Sequence, residues 1–192
     1  MLDARQDVLD FLLTRQSTPA SCLSGPSPSR DQLQILLKAA ARSPDHGALT
    51  PWRFLVHNAA ACQRLAALVE DLGTASDRDS AKVAKMAHLF RNAPMIVTVV
   101  CDPKPHYAIP ELEQTLSAGA VCLALLNASL ASGWGAVWLS GWPAFDADFR
   151  ANGLDLGATE AVAGFIHIGT ANAVPLGRTR PDVTALTTWV TA

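Results

Sequence analysis

Eleven of the fifteen basic residues in this chain are arginines, and a guanidinium is a planar fork suited to phosphate and carboxylate groups. Two arginines stand in polar loops. Arg15-Gln16-Ser17 sets a guanidinium, an amide and a hydroxyl side by side where a helical run ends. Arg42-Ser43-Pro44-Asp45-His46 opens a stretch, 42–54, that packs two prolines, a glycine, two arginines and a histidine between a helical run and a strand-like run. A simple connection there needs only about four to six residues, so this loop is a site candidate. A third loop, Trp138-Leu139-Ser140-Gly141, offers an indole, a hydroxyl and backbone amides. Cations and hydroxyls suit a phosphate and a polyhydroxyl tail, and an aromatic wall with backbone amides suits a flat heterocycle. A phosphorylated flavin has that anatomy. So do ordinary helix caps beside a core tryptophan, and residue types alone do not separate the two.

Other chemistries find less support. Gly133-x-Gly135-x-x-Trp138 follows a helical run and opens a strand-like one, the reverse of a dinucleotide fingerprint, with Trp where the third glycine belongs. Ser140 lies between Trp138 and Trp142, not between the glycines of a nucleophile elbow. Asp45 and His46 are adjacent, which rarely lets one orient the other as a triad requires. His46, His57, His88, His106 and His167 show no i, i+4 pairing with a carboxylate, and no Walker-type phosphate loop occurs. No metal site is expected. Cys22, Cys62, Cys101 and Cys122 are scattered without zinc spacing and read as reduced thiols.

A formal net charge of −2 offers no basic face to nucleic acid or to an anionic membrane. With 49% hydrophobic and 17% charged residues, the 192-residue chain reads as one globular domain spanning 1–192, with a rather apolar surface of the kind that suits an oligomer. The first residues lack the basic and apolar segments of a secretory signal, so a cytoplasmic location is expected.

The elements that must position these loops can be read in order. Val8, Leu9, Phe11, Leu12 and Leu13 predict an amphipathic helix over 3–15. Ser29 caps a helix over about 30–42 with Leu33, Leu36, Leu37 and Ala40 on one face. Residues 52–57 read as a strand, 59–72 and 76–91 as helices, and Met95-Ile96-Val97-Thr98-Val99-Val100-Cys101 as a central strand covered on both faces. Pro110 opens a long helix ending near Gly133, apolar or small on nearly every side from Leu116 to Ala131 and therefore buried. Its uninterrupted run is shorter than the roughly 20 residues of a membrane span, and its small residues would admit a close helix, including one from a second subunit. Strands follow near 136–139 and 161–169, with one short helix over 145–151 between them, irregular chain around Pro175 to Pro181, and an extended piece over 183–190.

Five segments together resemble the FMN-dependent nitroreductase family, with order and spacing similar to its small YdjA-like bacterial subgroup. They are Leu12-Leu13-Thr14-Arg15-Gln16-Ser17, Ala41-Arg42-Ser43-Pro44-Asp45-His46 through Pro51-Trp52, the helix carrying Ser117-Ala118-Gly119, Gly133 to Gly141, and Gly164-Phe165-Ile166-His167-Ile168-Gly169. The resemblance implies an α+β nitroreductase-like fold, a mostly antiparallel sheet flanked by helices, and a homodimer with one FMN at each of two interface sites. By position it implies that Arg15, Gln16 and Ser17 hold the phosphate and ribityl region, that Arg42 and His46 contact the cofactor, and that Trp138, Leu139 and Ser140 line the flavin. The last three could come from the other subunit. Close relatives often carry Arg where this chain has Gln16 and where it has Leu139. The implied reaction passes hydride from NAD(P)H through FMN to an electron-poor small molecule such as a nitroaromatic or quinone, with no side chain assigned as acid, base or nucleophile. A flavin-binding member without turnover, and a flavin-fragmenting enzyme of the same fold, remain alternatives.

Overall fold

Sheet polarity follows from residue alternation in two strands. In Met95–Cys101 (β3), Met95, Val97, Val99 and Cys101 face one hydrophobic cluster while Ile96 faces another, so the whole strand is buried. Ile166 and Ile168 of Ala161–Ala171 (β5) join the first cluster and Phe165 the second. Period-2 alternation with both faces apolar requires cover on both sides. The structure, a computed structural model, describes residues 3–191. Met1, Leu2 and Ala192, which the one-domain expectation also spans, lie outside the described residues.

β3 pairs antiparallel with Trp52–Asn58 (β2) on one side and with β5 on the other. Gly135–Leu139 (β4) pairs antiparallel with the middle of β5, and the two-residue Leu23–Ser24 (β1) pairs with its end through Leu23↔Ala171 and Ser24↔Thr170. The sheet is thus five-stranded and antiparallel throughout. β3 is central as expected, and β5 carries the most partners. β1 went unpredicted because two residues show no period.

Helices Arg30–Ala40 (α2) and Glu111–Ala131 (α5) cover one face, and Ala59–Ala75 (α3) with Ser80–Arg91 (α4) cover the other. α2 begins with the capping box its sequence predicts: the Ser29 hydroxyl accepts from Gln32 N and the Gln32 side chain accepts from Ser29 N. Gln6–Thr14 (α1) lies outside the core, with no residue buried.

α5 has 21 residues, long and apolar enough by length and composition to cross a membrane. Its inner face, Ser117, Ala118, Val121, Cys122, Leu125 and Leu126, packs into the sheet as a core helix does. Its outer face leaves Leu112, Leu116 and Leu123 exposed, so the expected burial on every side holds on one side only within a single chain. Two other expectations change. In place of one helix over 145–151 there are a turn of α-helix at Trp142–Phe145 (α6) and a π-helical turn at Phe149–Gly153, separated where Asp146 Oδ1 accepts from Phe149 N. The final segment is not extended throughout: Val183–Leu186 (α7) forms one helical turn started by the Asp182 side chain.

Candidate functional site

α1 ends at Thr14, and the next three residues run directly to β4: Thr18 N donates to Ala136 O at 2.9 Å. This anchor half-buries Arg15, Gln16 and Ser17 beside a cleft of about 460 Å³. Arg15 Nη2 donates to Ser17 Oγ at 2.9 Å, whereas Arg15 Nε is buried with no partner among the described residues. A buried guanidinium donor without an acceptor is costly, and an anion in the cleft would satisfy it. The far wall of the same cleft carries Arg178 and Arg180, and Arg180 Nη2 donates to Arg15 O. Burial first, then the charges of Arg180 and Arg178, lowers the Arg15 pKa. Three guanidiniums that repel one another around a cavity form a site that gains stability when a phosphate-like group enters.

The pair Arg178 and Arg180 was absent from the expected site. Their sequence neighbourhood, Pro175-x-Gly177-Arg178-x-Arg180-Pro181, reads as irregular chain, and only the return of β5 past β1 carries it to Arg15. Two arginines at i, i+2 beside proline and glycine were the available signal.

Trp138, Leu139 and Ser140 stand toward the other end of β4, roughly 7 to 13 Å along the chain from Ala136 at about 3.3 Å per residue. They line a second cavity of about 520 Å³ with Phe145, Thr115 and Glu111. Trp138 lies over Gly164, diagonal to it across the β4–β5 pairing. A Cβ at Gly164 would fall 2.0 Å from the indole Nε1. The two clefts are therefore opposite ends of one edge of the sheet: a cationic end, and an aromatic end.

Arg42 and His46 line neither cavity. Both are exposed, and Arg42 makes no side-chain bond among the described residues. Their loop is nevertheless tightly held. Asp45 accepts from Leu49 N (3.1 Å, Oδ1) and Thr50 N (2.9 Å, Oδ2), and so supports positive φ angles at Ala48 (52°) and Thr50 (49°), conformations non-glycine residues rarely adopt. Two residues one turn apart on α5 grip it from outside: Glu113 Oε2 pairs with His46 Nδ1 at 2.8 Å, and Ser117 Oγ donates to Pro44 O at 2.7 Å. Trp52 Nε1 donates to Ser117 in turn, and the buried Trp52 packs against α5. The expected residues thus fall into three separate groups in one chain.

A model of the nitroreductase family matches residues 14–170. A protein of Escherichia coli (strain K12) named "Putative NAD(P)H nitroreductase YdjA" is 32% identical over 164 residues, covering 85% of this chain and 88% of that protein. Among solved structures, a nitroreductase-like family protein from Bacillus cereus superposes with a TM-score of 0.80 at 20% identity, covering 99% of both chains. A nitroreductase with bound FMN from Bacteroides fragilis NCTC 9343 gives 0.74 at 18% identity, over 95% of this chain and 98% of its own. At these identities the superpositions establish the fold.

Proposed function

The chain belongs to the nitroreductase family, and from that premise we propose that it is an FMN-dependent oxidoreductase that passes hydride from NAD(P)H to an electron-poor small molecule, a nitroaromatic or a quinone. The carrying observation is the cleft in which Arg15 Nε lies buried without an acceptor between Ser17, Arg178 and Arg180. FMN fits it: the cleft offers cations and a hydroxyl to a phosphate, and β4 leads from it to the aromatic cavity. Arg15, Gln16, Ser17, Arg178 and Arg180 would hold the phosphate end, and Trp138, Leu139 and Ser140 the ring end. When bound, FMN supplies the two-electron relay. The guanidiniums bind and orient, and the Trp138 and Leu139 side chains exclude water from the ring end.

Gln16 does not leave the site short of charge, because Arg178 and Arg180 contribute it from the C-terminal segment. This favours a working flavin site over a degenerate one.

A homodimer completes the reading, with residues 1–192 acting as one domain. Leu112, Leu116 and Leu123 of α5 and Val8, Leu9, Leu12 and Leu13 of α1 form exposed apolar surface that a second copy would cover. Since the cationic and aromatic clefts belong to one β4 edge, the group supplied by the second copy is Arg42 with His46, rather than Trp138-Leu139-Ser140. The acceptor is a small molecule, nucleic acid and membrane have no part, and the location is cytoplasmic.

An absorbance scan of the purified protein tests the cofactor, with flavin bands expected near stoichiometry, and steady-state oxidation of NADH or NADPH with a nitroaromatic or a quinone tests the reaction. A colourless protein that takes up no added FMN would refute the proposal.

A further inference from the structure

The two clefts differ in sign. Three guanidiniums surround the first. Among the residues of one copy that line the second, Glu111 alone carries a formal charge: the rest are Trp138, Leu139, Phe145, threonines, small residues and the Cys101 thiol. Burial raises the Cys101 pKa, which keeps that thiol neutral. The cations on neighbouring elements are engaged elsewhere. Lys104 pairs with Asp102, Arg53 forms a two-pronged pair with Glu160 at 2.5 and 2.9 Å, and Arg150 donates to the Glu160 backbone carbonyl. Glu111 itself has no ion-pair or hydrogen-bond partner among the described residues.

The aromatic wall is equally unusual. Phe90, Phe149 and Phe165 are 2% exposed or less, whereas Phe145 is 76% exposed at the cavity mouth and Trp138 is 37% exposed beside it. Two partly uncovered aromatic faces around one cavity favour a flat guest that stacks or packs edge-on.

We infer that the part of this second cavity left open beside a flavin ring held along Trp138-Leu139-Ser140, the part bounded by Glu111 and Phe145, is the acceptor subsite, that it takes neutral and cationic electron-poor aromatics and disfavours anionic ones, and that Glu111 is the residue that sets this preference. The inference rests on the flavin reading and deepens it. A carboxylate-bearing acceptor is repelled at the aromatic cavity and drawn instead to the arginine cleft, where the cofactor phosphate competes with it. A quaternary or protonated amine on the ring meets Glu111 from one side and the aromatic faces from the other.

Three ligands of one shape and no reducible group separate charge from chemistry: benzyltrimethylammonium, benzyl alcohol and benzoate, titrated calorimetrically into FMN-loaded dimer at low salt. The expected Kd rises in that order, with about five-fold between neighbours, the size of one solvent-exposed charge at contact distance. The steps shrink at 1 M salt, where screening acts within a few ångströms. Glu111→Gln brings the three within about two-fold, and Leu139→Arg reverses the order. KM values for the corresponding nitro compounds follow the same ranking. Benzoate binding as tightly as the cation, or an unchanged ranking in Glu111→Gln, overturns the inference while leaving FMN binding and quinone turnover intact. Failure of the flavin reading is separately visible as a chain that retains no FMN.

Discussion

Gly164→Ala tests whether the Trp138 indole is held in place by the sheet beneath it. The added methyl would lie 2.0 Å from Nε1, 2.6 Å from Cδ1 and 3.0 Å from Cε2, against an ordinary carbon contact of about 3.5–4.0 Å. The ring must lift by about 1.5 Å or turn outward. Because Trp138 is already part-exposed, outward rotation is open to it, and the cost falls in the range of about 1–3 kcal/mol typical of added bulk at a packed position. At roughly 2–4 °C for each kcal/mol in a chain of this size, the melting temperature of the apoprotein should drop by several degrees. The more telling result lies in the cofactor. The arginine cleft sits at the other end of β4 and is untouched, so phosphate-end contacts persist while the ring end is disturbed. The expected FMN Kd, read by quenching of flavin fluorescence, rises by about ten-fold, and NADPH oxidation falls with it. An unchanged Kd together with an unchanged melting temperature would show that the indole does not depend on Gly164 and would refute the placement of the ring end on Trp138.

Arg15→Ala and the double variant Arg178→Ala/Arg180→Ala should each weaken FMN retention by at least ten-fold at constant melting temperature of the apoprotein, and His46→Ala should do so more mildly; FMN content after gel filtration reports all three, and full retention in Arg15→Ala contradicts the cleft assignment. Ser117→Ala strips the buried Trp52 Nε1 of its acceptor and Pro44 O of its donor, at about 1–3 kcal/mol, so chemical denaturation should show that loss together with greater proteolysis of the 43–50 loop, and an intact loop would argue that Glu113 alone suffices. His57 and His167 are held down to about 4, by burial first in both, with the Arg64 charge adding to His57. The unfolded chain, with histidines near 6.5, binds more protons at acid pH. Stability is therefore expected to be level above about pH 6.5 and to fall between about 6.5 and 4, by up to roughly 3 kcal/mol for each histidine; a flat urea midpoint from pH 7 to 5 would contradict it.

Local pattern carried most of the architecture. Continuous β-branched residues announced β3 as central, Ser29 with Gln32 announced the start of α2, and Pro110 the start of α5 within a residue. What escaped was written in distant pairs. Nothing near Arg178 marks it as a neighbour of Arg15, more than 160 residues away, and nothing near His46 marks Glu113 as its partner. The expected helix over 145–151 failed because Asp146, whose side chain accepts from Phe149 N, interrupts a pattern whose apolar spacing alone is helical.

The stretch 42–54 shows why that matters for function. Its polar residues suggested a ligand site, yet half of them serve the loop itself: Asp45 spans it, Ser43 caps the end of α2 through Ala40 O, and Trp52 leans on Ser117. Positive φ at Ala48 and Thr50 costs of order 1–3 kcal/mol each, and such strain persists only where surroundings over-determine it. Those surroundings are Asp45 from within and α5 from outside. Arg42 and His46 are left facing solvent on a stiff support whose anchor is the N-terminal half of α5. The outer face of that same helix, Leu112, Leu116 and Leu123, is the uncovered apolar surface. A second copy seated there would place its weight on the element that aims His46, so assembly and preparation of the cofactor wall become one event. Breaking the dimer should then cost FMN affinity even in a variant that keeps every arginine.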